Sequence, residues 1–330
     1  MKYHQLTSQQ RSQIFALLQR KTPRKDIASI VGCSQSTLSR EIRRNSTDNG
    51  NYLWDKAHAK AMERRKRATS NRSKDACIVW EALDLLVEED WSPEQISADM
   101  KRRGKEISHE LIYRHIRADE SGELAFHCRH KMKYNRHGLP DRTTKVRNIP
   151  ERISIHQRPA EADGTRFGDW EMDAIVGKDG KGAIVTLTER STNMVLMERL
   201  PHGKHPEPLA KVVIRLLFPY RHTVRSITTD NGSEFCAHKM ISKALAPRRT
   251  KDPNLVFFAD SYSSWQKGAI ENANKLIRQY IPKGTDFSTL SDAFIRKVQH
   301  KINRRPRKKL NFEAPKKVFF RQINNFAVAS

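Results

Sequence analysis

Cysteine is scarce, and no two cysteines stand close: Cys33, Cys77, Cys128 and Cys236 are the 4 in 330 residues. With no C-x-x-C pair, neither a disulfide scaffold nor a structural zinc site is expected. Phe126-His127-Cys128-Arg129-His130 crowds potential soft ligands. A four-coordinate site needs a second such cluster and the sequence offers none, so the segment reads as solvated basic linker. Long apolar runs are missing too. No run of about 18 apolar residues occurs, which argues against a membrane-spanning helix. Met1-Lys2-Tyr3-His4-Gln5 lacks an apolar signal core, and a soluble, cytoplasmic protein is expected.

Acidic residues fall well short of basic ones. Lys and Arg number 62 against 37 Asp and Glu, a formal charge of +25 with a pI near 10.1. Such an excess draws a protein to polyanions, of which nucleic acid is the commonest. The length implies two or three domains.

Residues 6–45 read as three short helices. Leu6-Thr7-Ser8 offers a cap, and Ile14, Leu17 and Leu18 form an apolar stripe. Thr22-Pro23 starts a second helix carrying Ile27, Ala28 and Val31 inward. Gly32 supplies the turn, Ser34 caps a third helix, and Leu38 and Ile42 face the core. This is helix-turn-helix spacing, and its outward set is Gln35, Ser36, Ser39, Arg40, Arg43 and Arg44. Arg and Gln read guanine and adenine edges, and Ser bonds phosphate or base. The bland alternative is a helical bundle with a solvated basic face.

A second, weaker unit of this kind starts at Trp91-Ser92-Pro93 and continues through Gly104 and Ser108. Its groove-facing set is His109, Tyr113 and Arg114, with Glu110 repelling phosphate unless it pairs with a base amine. Between the units, Lys56 to Arg72 is basic and helical, with Arg64-Arg65-Lys66-Arg67 placed to track phosphates or merely to be solvated. Residues 127–150 lack an apolar period and read as a linker that orders on DNA. The expected division is 1–50 helix-turn-helix, 51–80 basic helical linker, 81–120 second helix-turn-helix-like domain, 121–160 basic linker and 161–330 catalytic domain with a basic tail.

From Gly168 the period becomes that of strands: Trp170 to Val176, Gly182 to Leu187 and Met194 to Leu200. A helix from Pro208 to Phe218, a strand ending at Asp230, a strand at Val256–Ala259 and a helix near Ser264 follow. Three antiparallel strands, then helix–strand alternation, make a mixed sheet in the ribonuclease-H-like order. The fold class is therefore multidomain: an all-α helix-turn-helix region, then an α/β mixed-sheet domain.

Three carboxylates stand out. Glu171 and Asp173 are two apart on one strand and share a face. Asp230 ends a central strand, where open α/β sheets place their ligands. Glu271 lies about two turns into its helix, with Gly268 one turn earlier leaving room for a metal, phosphate or base. Three carboxylates about 6 Å apart would repel by nearly 3 kcal/mol per pair at an effective dielectric near 20. Divalent cations, bound through hard oxygen ligands, are the economical compensation. Each residue has a bland rival. Asp230-Asn231-Gly232 is also turn chemistry, Glu271 also pairs with Lys275 at i,i+4, and Asp173 is a surface residue if Glu171 is the ligand. Arg278 and Lys275 are placed to hold substrate phosphate.

Trp170-Glu171-Met172-Asp173, Asp230-Asn231-Gly232-Ser233-Glu234-Phe235, Tyr262 to Gly268 and Glu271 to Tyr280 resemble the bacterial DDE transposases of the insertion-sequence thirty family. So do Pro282-Lys283-Gly284-Thr285-Asp286-Phe287, Asn303 to Leu310 and Ser36 to Glu41. The resemblance runs through nearly the whole chain. It departs in a longer Asp230–Glu271 interval with the basic insert Pro247–Pro253, in a proline-free Ser261–Ser264, and in Ile270 before Glu271. It implies catalytic, metal-holding roles for Asp173, Asp230 and Glu271, and recognition of terminal inverted repeats by the amino-terminal helices.

The expected activity is cleavage and strand transfer on double-stranded DNA with Mg²⁺, or with Mn²⁺ in its place, by a homodimer or larger assembly. The alternatives are a catalytically inactive DNA-binding regulator and a sequence-directed nuclease of the same fold. The basic tail Asn303–Lys309 suits either enzyme, or simply solvates a terminal helix.

Overall fold

The computed structural model describes residues 5–70, 75–132, 149–200, 203–246, 253–261 and 263–329. The chain divides into two compact units, Met1–Asp75 and Ala76–Ser330.

The first unit holds α1 (Ser8–Gln19), α2 (Arg24–Val31), α3 (Gln35–Asn45) and α4 (Trp54–Ser70). Thr7 caps α1 reciprocally: Gln10 N–H donates to Thr7 Oγ1 at 3.2 Å and Thr7 N–H to Gln10 Oε1 at 2.9 Å. Gly32 ends α2 in the left-handed region at φ 72°, and Ser34 Oγ accepts from Thr37 N–H at 3.1 Å to start α3. Ile14, Ile27, Val31 and Leu38 are buried together with Tyr52 and Ala57. An ion pair of 2.7 Å between Arg11 and Glu41 ties α1 to α3, and the Tyr52 hydroxyl donates to the same carboxylate at 3.2 Å. Helix α4, expected in a linker over 51–80, packs inside this unit. Ala57 supplies an apolar contact, the Lys60 ammonium donates to the Ser46 carbonyl at 2.8 Å, and Arg64 bonds Asn45. The side chains of Lys66 and Arg67 lie outside the described residues.

The second unit begins with α5 (Ala76–Glu89), α6 (Pro93–Arg102), α7 (His109–Ala118) and α8 (Glu123–His127). Ser92 and Ser108 cap α6 and α7 as the sequence predicts. Val79, Leu86, Ile96, Met100, Ile112, Ile116 and Cys128 form the core of this bundle. Cys128 is thus an interior residue, not part of a solvated linker, and α8 lies within the expected linker span 121–160. At the far end of that span, the Phe258 N–H donates to the Ile153 carbonyl at 2.8 Å. Residues 133–148, which carry most of the stretch expected to order on DNA, lie outside the described residues. So does all of the basic insert 247–253 except Pro253.

The sheet contains β1 (Asp169–Val176), β2 (Ala183–Glu189), β3 (Val195–Leu200), β4 (Ser226–Thr229) and β5 (Val256–Phe258), in the order β3-β2-β1-β4-β5. The first three are antiparallel, β4 runs parallel to β1, and β5 parallel to β4. This is the ribonuclease-H-like arrangement. One face (Trp170, Met172, Val185, Leu187) packs with α9 (Pro206–Leu217), α10 (His238–Leu245) and α13 (Pro315–Ala329). The other (Ile175, Ile184, Val195, Met197) packs with α11 (Gly268–Tyr280) and α12 (Asp292–Arg304). Gly168 leads into β1 at φ 98°, where a Cβ would lie 1.8 Å from the Thr223 carbonyl oxygen, so only glycine fits.

Asp90 joins the bundle to the sheet region. It accepts from His127 Nδ1 at 2.8 Å, from the Tyr280 hydroxyl at 3.1 Å and from the Lys301 ammonium at 2.6 Å. Burial pushes its carboxyl up, but the bonds from Lys301, His127 and Tyr280 outweigh this and hold it below the ordinary aspartate range. A depressed carboxyl stabilises the fold above its unfolded value and loses that contribution as pH falls through its folded value. Asp90→Asn should therefore cost about 3 kcal/mol in urea melts at neutral pH. The difference from wild type should shrink as pH drops below about 4. Superimposable melts at neutral pH would refute the lock.

Candidate active site

The parallel register pairs Glu171 with Thr228 across β1 and β4. Two steps further along each strand stand Asp173 and Asp230, neighbours across the end of the parallel pair. Alternation puts Glu171 and Asp173 on the face covered by α11.

Their environments separate the two β1 acids. Glu171 is buried: its Oε1 accepts from Arg190 Nε at 3.0 Å and its Oε2 from the Ile270 N–H at 2.8 Å. It anchors the start of α11 and has no free oxygen to face a cation. Asp173 is the more accessible of the two. Burial pushes its carboxyl up, the Lys267 ammonium pulls it down and Asp230 pushes it up again, with a net upward direction. Asn274 Nδ2 donates to Asp173 Oδ2 at 2.7 Å, and Thr186 Oγ1 in turn donates to Asn274 Oδ1 at 3.1 Å.

Asp230 serves two purposes. Its Oδ1 accepts from the Gly232 N–H at 2.9 Å, which is the turn chemistry of Asp-Asn-Gly. Its Oδ2 accepts from Lys267 Nζ at 3.1 Å, and the same ammonium lies 3.8 Å from Asp173 Oδ1. Lys267 thus sits between the two aspartates. Glu234, buried nearby, is paired with Lys204 at 3.0 Å.

Glu271 departs from expectation in its placement. It falls in the first turn of α11, not two turns in, because the residues before Gly268 form a short 3-10 turn. Among the described residues, no three carboxylate, histidine or cysteine side chains close on one point. The expected set of three acids is not drawn together: Asp173 and Asp230 share Lys267, and Glu271 stands four residues beyond that lysine. The Lys267 ammonium offsets part of the repulsion between the two aspartates. A Cβ at Gly268 would meet nothing within 4 Å, so the space beside it is open.

The remaining candidates divide by exposure. Gln35, Ser36, Ser39, Arg40, Arg43 and Arg44 are all exposed on α3, with Arg40 Nη2 donating to Ser36 Oγ at 3.0 Å. On α7, His109 and Arg114 are exposed and Tyr113 is half-buried, with the Arg117 guanidinium 5.6 Å from its ring centre. Glu110 pairs with Arg117 at 2.9 Å, which answers the repulsion expected of it. Lys275 is exposed on α11. Arg278 is turned to the end of that helix, donating to the Pro282 carbonyl at 3.3 Å and lying near the Phe287 ring. Burial lowers its guanidinium. Lys267 and Asn274 were not picked out from the sequence. Their signal was helical period, since Asn274 stands three residues after Glu271.

The helix-turn-helix domain family matches residues 2–45. The transposase for insertion sequence element IS4351 of Bacteroides fragilis is 36% identical over 330 residues, covering 98% of each chain. That for IS1086 of Cupriavidus metallidurans is 34% identical over 338 residues, covering 98% of this chain and 96% of the relative. Transposase InsI for IS30A of Escherichia coli is 30% identical over 349 residues, covering 96% and 84%. Among solved structures, the catalytic core domain of BIV integrase shares 17% identity, covering 48% of this chain and 98% of its own, at a TM-score of 0.36. A helix-turn-helix region followed by a mixed sheet in the order β3-β2-β1-β4-β5 defines the class of proteins with a ribonuclease-H-like domain. Within it, the chain belongs to the transposases of bacterial insertion sequences, in the insertion-sequence thirty family.

Proposed function

We propose that this chain binds the terminal inverted repeats of an insertion sequence and catalyses metal-dependent cleavage and strand transfer on double-stranded DNA. The observation that carries the reading is the pairing of Asp173 and Asp230 about the Lys267 ammonium, with Glu271 in the first turn of the helix that follows this lysine. The donor set fits the expected ion: aspartate oxygens are hard ligands, and Asp230 keeps Oδ2 for a cation while the turn holds Oδ1. Magnesium held by Asp173, Asp230 and Glu271, or manganese in its place, supplies positive charge for in-line attack on a phosphodiester.

The chain's own groups set the geometry. Asn274 fixes the rotation of the Asp173 carboxylate, and Glu171 fixes the start of the helix that carries Glu271. Lys267 offsets part of the repulsion between the aspartates and so helps keep the pair close-set. The open space at Gly268 admits a phosphate beside the acids. Helix α3 presents its exposed Arg, Gln and Ser side chains to a major groove.

The test is a strand-cleavage and joining assay on labelled duplex ending in the flanking repeats, run with Mg²⁺, with Mn²⁺ and with EDTA. Metal-dependent 3′-end cleavage and joining is expected. Specific binding without cleavage would favour the regulator, and cleavage without joining the nuclease. Binding should also weaken steeply with salt, with a log–log slope near −7 for about eight neutralised phosphates. A slope shallower than about −3 in a salt titration would refute an extended DNA path.

A further inference from the structure

The basic stretch Asn303–Lys309, read from the sequence as suiting either enzyme or as solvating a terminal helix, is largely folded inward. Asn303 is buried and closes both backbone bonds of Val195, at 2.8 and 2.7 Å. Arg305 is 3% exposed and Arg307 9%. Arg305 donates to Gln279 Oε1 at 3.1 Å and to the Tyr280 hydroxyl at 2.8 Å, and Arg307 donates to the Ile302 carbonyl at 3.1 Å. The Nε–H of each is buried without a partner. The carboxylate of this network, Asp90, already accepts from His127, Tyr280 and Lys301. Arg129, exposed just after α8, is near enough for its charge to act on Arg305 and Arg307, and Gln279 ties this end of α8 to the network through a 3.2 Å bond to the His127 carbonyl. Burial lowers the Arg307 guanidinium to about 9, and the charges of Arg305 and Arg129 push the same way.

Buried like charges are retained when an anion compensates them. The forked donors of arginine match the oxygens of a phosphate. We propose that Arg129, Arg305 and Arg307 form a binding site for a DNA backbone phosphate at the seam between the helical bundle and the sheet. Arg129 gives the phosphate its way in, and the exposed Arg304 and Lys308, paired with Glu89 and Glu94, border the site and can turn to the backbone of a bound strand. One phosphate gripped from both sides would hold bundle and sheet in a single arrangement. The inference rests on the strand-transfer reading above.

The test uses the full chain, a labelled duplex carrying the element's end, and fluorescence polarisation across a salt series. Arg129→Gln and Arg307→Gln should each weaken binding about tenfold and make the log–log slope shallower by about one. Arg129 is exposed, so its variant remains readable if Arg307→Gln fails to fold. Unchanged affinity and slope in a folded variant would overturn the site while leaving the transposase reading intact. Inorganic phosphate raising the melting temperature of wild type above that in chloride at equal ionic strength, with DNA affinity unaltered in the variants, would reassign the site to a free anion and overturn the proposal. A wild-type chain that neither binds nor cleaves the duplex would overturn the strand-transfer reading beneath it.

Discussion

Asp173→Asn, Asp230→Asn and Glu271→Gln should each reduce strand cleavage and joining about a thousandfold or more, with binding to the end duplex nearly unchanged. A thousandfold is roughly 4 kcal/mol of barrier, the scale expected when a ligand that fixes catalytic charge is lost. The aspartates sit side by side at the end of the parallel pair, so either change removes half of a shared cation site. Glu271→Gln is the most informative, since it keeps shape and helix while removing only the charge. Full cleavage by Glu271→Gln would strike that residue from the triad and leave the aspartate pair with Lys267. Loss of binding in all three would mean that the substitutions had disturbed the fold.

The second large effect concerns a residue that is no ligand. Glu171→Ala should destabilise the second unit by about 3–5 kcal/mol in denaturant melts. The change leaves Arg190 with an uncompensated buried charge and the Ile270 N–H without its acceptor. Glu171→Gln keeps an acceptor for that N–H and should cost less. Activity should fall with the melts, because Glu271 rides on the helix that Glu171 anchors. A shift below about 1 kcal/mol for Glu171→Ala would refute the anchoring role.

Much was legible locally. Ser34, Ser92 and Ser108 each cap the helix that their position predicts, because capping is a contact within three residues. The alternation over Trp170–Val176 and the apolar run before Asp230 mark β1 and β4, because burial on a sheet imposes a period of two. The same period put Glu171 and Asp173 on one face, but it could not say which of them is tied up. Arg190 and Ile270 decide that, and both arrive from elsewhere in the chain.

The basic stretch after α12 shows the limit most sharply. Arg305 and Arg307 carry the composition of a solvated tail, yet both are buried against the ends of α11 and α12. Likewise α4 has the charge of a linker and packs into the first unit, and Lys267, unremarked in its motif, sits between the aspartates. The sequence by itself determined the helix-turn-helix pattern and the succession of strands and helices, since caps and periods are short-range properties. Only the tertiary structure decided which charges are paired, buried or left facing one another, because charge pairing acts through space between segments far apart along the chain.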